Sequence, residues 1–216
     1  KLSFHLDNFD ATKILPHMMF IAPKGCGKTM LAKAVGRNLY SAESTTKTTT
    51  DSFGDRHTVE VPAGEAPKRF LEINCSSIKS VPQFVEGLLM ERIMNKEVTV
   101  LFDEASELPK DVTMFLLTAL NPTSNHFNTM TYDEHTFDFN FRRQTFMFAT
   151  TEAHKIFHAL IDRCDRIDME EYTLSELGKI VQLNLDNESF KADSDVLEEI
   201  ASVLRGNARA AQKMAN

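Results

Sequence analysis

"FIAPKGCGKTMLAKA", residues 20–34, sets two glycines, a lysine and a threonine between an apolar run and a helix-forming run. The phosphate-cradling pattern G-x-x-x-x-G-K-[ST] fits it from the second position onward. Ala22 stands where the first glycine is usual, followed by Pro23, Lys24, Gly25, Cys26, Gly27, Lys28 and Thr29. A small alanine fits a strand end if its φ is negative, so the departure is modest. Upstream, "HMMFIA" (residues 17–22) is short and apolar and halts at Pro23, which reads as a buried strand. Downstream, "KTMLAKAVGRNLY" places apolar residues at helical spacing. Strand, glycine-rich turn and helix, in that order, form the context a phosphate cradle needs.

A second signal lies further along. "VTVLF" is a β-branched and aromatic run followed at once by Asp103 and Glu104. Between the two signals, "RFLEIN" alternates as a strand and "VPQFVEGLLMERIMN" reads as an amphipathic helix. Residues 41–67, with "SAESTTKTTTDSFGD" and two later prolines, are too poor in apolar side chains to pack by themselves and read as a mobile Thr-rich loop. After a helix near residues 110–120, residues 121–143 form a hairpin-like excursion whose "TFDFNF" arm alternates sharply. "TFMFATT" is another buried strand, ending in the hydroxyls of Thr150 and Thr151; "RIDMEEY" follows as the next, and the tail from Thr173 onward is helical. Strands alternating with helices predict an α/β fold, with a mostly parallel five-stranded sheet that binds ligands at the carboxyl ends of its strands.

Composition bounds the partners. The 216 residues are 42% hydrophobic and 25% charged, the make-up of an ordinary globular protein. Three cysteines, Cys26, Cys75 and Cys164, at wide spacings suit a reducing, cytoplasmic setting better than a disulfide framework. No apolar run approaches the roughly 20 residues that span a bilayer, so no membrane role is expected. A net charge of −7 argues against a surface coated for nucleic-acid binding; DNA, if a partner, is met by a local patch, an oligomer or an accessory protein.

The two signals together assign chemistry. Backbone N–H groups of residues 25–29, at the positive end of the following helix, suit phosphate oxygens, and glycine permits the close approach. Lys28 is placed to neutralise the β and γ phosphates, Thr29 and Asp103 to hold Mg²⁺, and Glu104 to orient or deprotonate the attacking water. Each signal alone has a plain alternative: a chance GKT turn, or a solvated strand terminus. Their order, each at its own strand end, favours a nucleoside-triphosphatase over both.

"APKGCGKTMLAKA", "VTVLFDEASELP" and "TFMFATTEAHKIFHALIDRCDRIDMEEYT" resemble the two Walker segments and the sensor 1 to arginine-finger segment of AAA+ ATPases, within them the RuvB type of branch-migration motor. The similarity runs from His17 to "VLRGNARAAQKMA", which resembles the segment bearing sensor 2. It implies a core over residues 1–172 and a small helical lid over 173–216 that stops short of completion. It implies ATP and Mg²⁺, with Pro23, Lys24, Gly25, Cys26, Gly27, Lys28, Thr29, Met30 and Arg209 around the nucleotide. Thr151 falls at sensor 1, Arg163 at the trans-acting finger and Arg209 at sensor 2; Arg166 and Thr150 remain alternatives for the finger and sensor 1. Arg142 and Arg143 read as a strand edge or an interface pair. His154 and His158, at i, i+4 on a predicted helix, read as a polar face rather than a metal site. The family implies a hexameric ring acting on duplex or branched DNA, with a clamp-loader-like or protein-remodelling ATPase and a weakly hydrolysing assembly module as the other readings. The 121–143 hairpin, with Phe137, Phe139 and Phe141 on one face, is expected to expose that face to a partner protein, the alternative being that the three fold back onto their own core. The chain departs from the RuvB pattern in three places: before His17, in residues 41–67, and in lacking a winged-helix segment.

Overall fold

A computed structural model describes residues 1–12, 14–39, 45–50, 56–62, 68–187, 190–204 and 206–210. The chain opens with helix α1 (Leu2–Thr12), which the sequence reading left unassigned, and enters strand β1 (Met18–Ile21). Three of the four β1 side chains are fully buried, as a central parallel strand requires. Helix α2 (Lys28–Arg37) follows the glycine-rich turn and buries Ala32, Val35 and Gly36 against the sheet. Gly36 has no side chain because Phe70 and Thr99 lie where a Cβ would go, 2.5 Å from a Phe70 ring carbon.

Strands β2 (Thr45–Thr50) and β3 (Arg56–Val61) then form an antiparallel ribbon in register Thr45↔Val61 to Thr50↔Arg56. This corrects the expectation of a strand-free loop over 41–67. The segment is indeed too polar to make a core. Backbone pairing needs none, however, and runs of threonine are β-branched and fit a pleated pair. Residues 41–44, 51–55 and 63–67 lie outside the described residues.

Strands β4 (Arg69–Asn74), β5 (Val98–Asp103), β8 (Gln144–Thr150) and β9 (Asp165–Asp168) join β1 in one parallel sheet of order β4-β5-β8-β1-β9. Between β4 and β5 runs α3 (Val81–Phe84), which continues as a π-helix over Val85–Ile93. Ser80 caps its start, accepting from the Gln83 N–H, with Pro82 in the first turn. Helix α4 (Lys110–Ala119) follows β5, then the hairpin β6 (Phe127–Tyr132) and β7 (His135–Asn140), the four-residue α5 (His158–Ile161) between β8 and β9, and finally α6 (Leu174–Asn187) and α7 (Ser194–Leu204). His154 lies in a 3₁₀ turn before α5 and His158 begins α5, so the two do not share one helix as expected.

Two apolar layers cover the sheet. One, on the α1 and α2 side, gathers Phe9, Leu15, Phe20, Leu39 and Met147. The other, on the side of α3 and α4, holds Phe84, Phe102, Phe115, Phe146 and Phe148. Phe102 stacks on Phe148 at 5.1 Å, an offset pairing that adds to the ~1.5–3 kcal/mol of burying each ring.

Phe137, Phe139 and Phe141 belong to this second layer, each at most 7% exposed. The predicted exposed aromatic face is thereby corrected. The alternation is as read, but it points inward: Phe137 meets Phe115 of α4, and Phe139 and Phe141 meet Phe146 of β8. A strand's alternation shows that one face is apolar, not which way that face turns. Helices α6 and α7 pack separately through Leu177, Val181, Ala201 and Leu204. Among the described residues no helix is long and apolar enough to cross a membrane.

Candidate nucleotide and metal site

Parallel register brings four strand ends to one edge. Asn74 pairs with Asp103, Asp103 with Ala149, and Ile21 with Thr150. The turn after β1 rises beside them. Gly25 and Gly27 adopt φ of 90° and 81°, open to glycine without strain, whereas Ala22 stays out of the positive-φ region. The departure at Ala22 therefore costs the turn nothing. At Gly25 a Cβ would also fall 2.1 Å from Asn207 Oδ1, so the lid side approaches the turn only because this position is bare. Tyr172, just before α6, donates its hydroxyl to the Cys26 carbonyl at 3.4 Å.

Lys28 lies across the turn and donates to the carbonyls of Ala22 and Pro23, both at 2.9 Å. Burial holds its ammonium below the usual lysine range, opposed by Cys26 and Asp103 and reinforced by Arg209. The Thr29 hydroxyl donates to Asp103 Oδ2 at 3.0 Å. Two hard oxygen donors thus stand side by side at the strand edge, the donor chemistry Mg²⁺ requires. Glu104 has φ 56° and ψ 48°, a left-handed conformation uncommon outside glycine. Its N–H donates to Asp103 Oδ1 at 3.1 Å, and Asn74 Nδ2 donates to its carboxylate at 3.2 Å. The Asp103 and Glu104 carboxylates thus meet different partners at one strand end, Thr29 and Asn74.

Thr150 and Thr151 divide in the same way. Thr150 is buried, and its hydroxyl accepts from the Glu152 N–H at 3.0 Å. Thr151 is exposed, and both threonines, with Lys24, Asp103, Glu104 and Arg209, line a cavity of about 380 Å³. A second cavity, about 720 Å³, runs between α2 and α6, where Met30, Met169, Tyr172 and Leu183 give it apolar walls. Gly25, Lys28, Thr29 and Arg209 border both cavities. Pro23 contributes its carbonyl to Lys28, and Cys26 is buried with its thiol pushed up by burial.

Arg163 stands apart from the predicted site residues gathered here. It lines neither cavity; its guanidinium donates to the Ala159 carbonyl at 2.9 Å and to Asn121 Oδ1 at 3.3 Å. Arg166 is exposed and pairs with Asp168 two residues on, at 2.7 Å. Sequence reasoning missed Asn74, Tyr172 and Asn207. Asn74 was within reach, as the polar last residue of a strand set beside the one ending in Asp103. The other two depend on how the C-terminal segment lies against the glycine-rich turn, which no local pattern states.

A parallel sheet carrying a glycine-rich turn, a lysine lying across that turn, and a threonine bonded to an aspartate at the end of a second strand defines a P-loop nucleoside-triphosphatase. A profile described as "ATPase family associated with various cellular activities (AAA)" matches residues 18–172, and the chain belongs to that family. No curated protein matches it. Among solved structures it is similar to the Thermotoga maritima RuvB Holliday junction branch migration motor, at 18% identity over 99% of this chain and 58% of that one, TM-score 0.71. A single-substitution variant of that protein gives 19% identity over 99% and 58%, TM-score 0.72. At that identity the likeness is one of fold, and the chain spans 58% of the length of those structures.

Proposed function

We propose that this AAA ATPase is a RuvB-like, ring-forming motor that couples ATP hydrolysis to translocation or remodelling of duplex or branched DNA in the cytoplasm. The observation that carries the hydrolytic part is the Thr29–Asp103 bond with Glu104 beside it, in a cavity shared by Lys28 and Arg209. Backbone N–H groups of the Gly25–Thr29 turn would receive the phosphates, and Lys28 would exchange its two carbonyl acceptors for β- and γ-phosphate oxygens. Thr29 and Asp103 would hold Mg²⁺, which when bound neutralises charge on those phosphates. Glu104 would take the water proton, with Asn74 setting the carboxylate's direction and Thr151 fixing the water from the adjacent strand end. Arg209, from the lid side, would neutralise γ-phosphate charge in cis. The base and ribose would occupy the larger cavity, near Met30 and Tyr172.

Arg163 would act on the γ-phosphate of the next subunit, which is consistent with its absence from its own subunit's cavities. Such an arrangement calls for a closed ring, and a hexamer is the expected count. The 121–143 hairpin can still offer a partner its outer side, where Phe127 is 39% exposed, although its phenylalanine face is taken up by the core. A protein-remodelling or clamp-loader-like machine would use the same catalytic groups, so the polymer stimulating turnover separates the readings. ATPase activity is expected to rise several-fold with a four-way DNA junction and not with an unfolded protein; stimulation by the protein alone would replace the motor by a remodeller.

A further inference from the structure

Arg163 is a cation whose recorded hydrogen-bond acceptors are both neutral, the Ala159 carbonyl and Asn121 Oδ1, and its Nε is buried without a partner. Among the described residues no carboxylate forms an ion pair with it. Asn121 is the first residue past the C-terminal cap of α4, its own N–H donating to the Thr118 carbonyl. The same α4 terminus is gripped by the hairpin: Asn128 Nδ2, on β6, donates to the carbonyls of Thr118 at 2.7 Å and Ala119 at 2.9 Å. A single amide therefore connects the arginine to the helix end on which the hairpin is anchored.

We propose that Asn121 is a positioning residue that parks Arg163 within its own subunit, so that the finger must leave Asn121 to reach a neighbour's nucleotide, and that the hairpin, through Asn128, sets how firmly it is parked. This rests on the reading of Arg163 as the trans finger. Parking lowers the fraction of subunits whose arginine is free, and apparent assembly of active sites weakens by that fraction, while a fully assembled site is unaffected. The neutral acceptors favour release: a phosphate offers the guanidinium charge-assisted, two-pronged bonds that an amide oxygen and a carbonyl cannot match.

The test is ATPase turnover against protein concentration for wild type, Asn121→Ala, Asn121→Asp and Arg163→Ala, with melting temperatures measured on each. Removing the amide is expected to lower the protein concentration for half-maximal turnover by roughly two- to tenfold, the range of one hydrogen bond. Placing a carboxylate opposite Arg163 should raise it by at least as much, with the plateau kcat unchanged in both variants. Opposite shifts from the two substitutions are a result that a merely structural asparagine would not give. Equal shifts, no shift, or a fallen plateau with Arg163→Ala inactive would overturn the parking alone. Full turnover in Arg163→Ala would instead overturn the finger reading on which it stands.

Discussion

Glu104 sits in a left-handed conformation that a non-glycine residue adopts at some cost, and it does so between an aspartate bonded to Thr29 and an asparagine bonded to its own carboxylate. Strain of this kind persists where surrounding contacts fix it, as they do here. The expected outcome of Glu104→Gln is retained ATP binding with turnover down by about 10²-fold or more, read by steady-state kinetics beside nucleotide titration. Asn74→Ala leaves Glu104 in place but unaimed, so turnover should change while ATP affinity holds; a change confined to affinity would put Asn74 in the wrong role. Most of this site was legible in the sequence because phosphate and Mg²⁺ chemistry demands particular residues at fixed spacing. Lys28, Thr29, Asp103 and Glu104 could be placed from two short motifs. The different surroundings of Thr150 and Thr151 were not legible, since both hydroxyls end one strand and only the turn at Glu152 gives Thr150 a backbone partner.

At the scale of elements, the hairpin β6–β7 is the instructive case. Its alternation was readable, yet the direction of its phenylalanine face was not, because that depends on α4 and β8 lying beneath it. With Phe139 1% exposed, Phe139→Ala should cost about 3–5 kcal/mol of stability, measured by urea unfolding. A loss under about 1 kcal/mol would mean that the face is not part of the core in solution. The β2–β3 ribbon makes the complementary point: its composition is too polar to form a core and so reads as a loop, although ladder bonds alone can define strands. Helix α1 has no local signature for a related reason. Its apolar positions, Leu2, Leu6 and Phe9, find their meaning only against the layer they pack upon.

For the whole molecule, the end of the sheet opposite the nucleotide carries a pH-sensitive element. His17 accepts from the Phe146 N–H and lies edge-on to Phe141 at 4.7 Å, and burial lowers its pKa from 6.5 to about 4. The folded protein thus resists a proton that the unfolded chain takes up near pH 6.5. Stability contributed by the neutral ring is complete above pH 6.5 and is lost as pH falls toward 4, by up to about 3 kcal/mol. His17→Asn keeps an acceptor without the titration, so its urea midpoint should fall less between pH 7 and pH 4.5; equal falls would remove His17 as the cause.

If active sites are completed between subunits, as proposed, two inactive variants should rescue each other when mixed. Arg163→Ala subunits keep an intact phosphate turn and Lys28→Ala subunits keep an intact finger, so each alone should be nearly inactive. Combined in one ring, they rebuild sites in which a normal Lys28 faces a normal Arg163. ATPase activity is expected to reappear in the mixture and to rise with total protein concentration. A mixture that stays inactive although mixed rings are shown to form, or an Arg163→Ala protein as fast as wild type, would contradict the account.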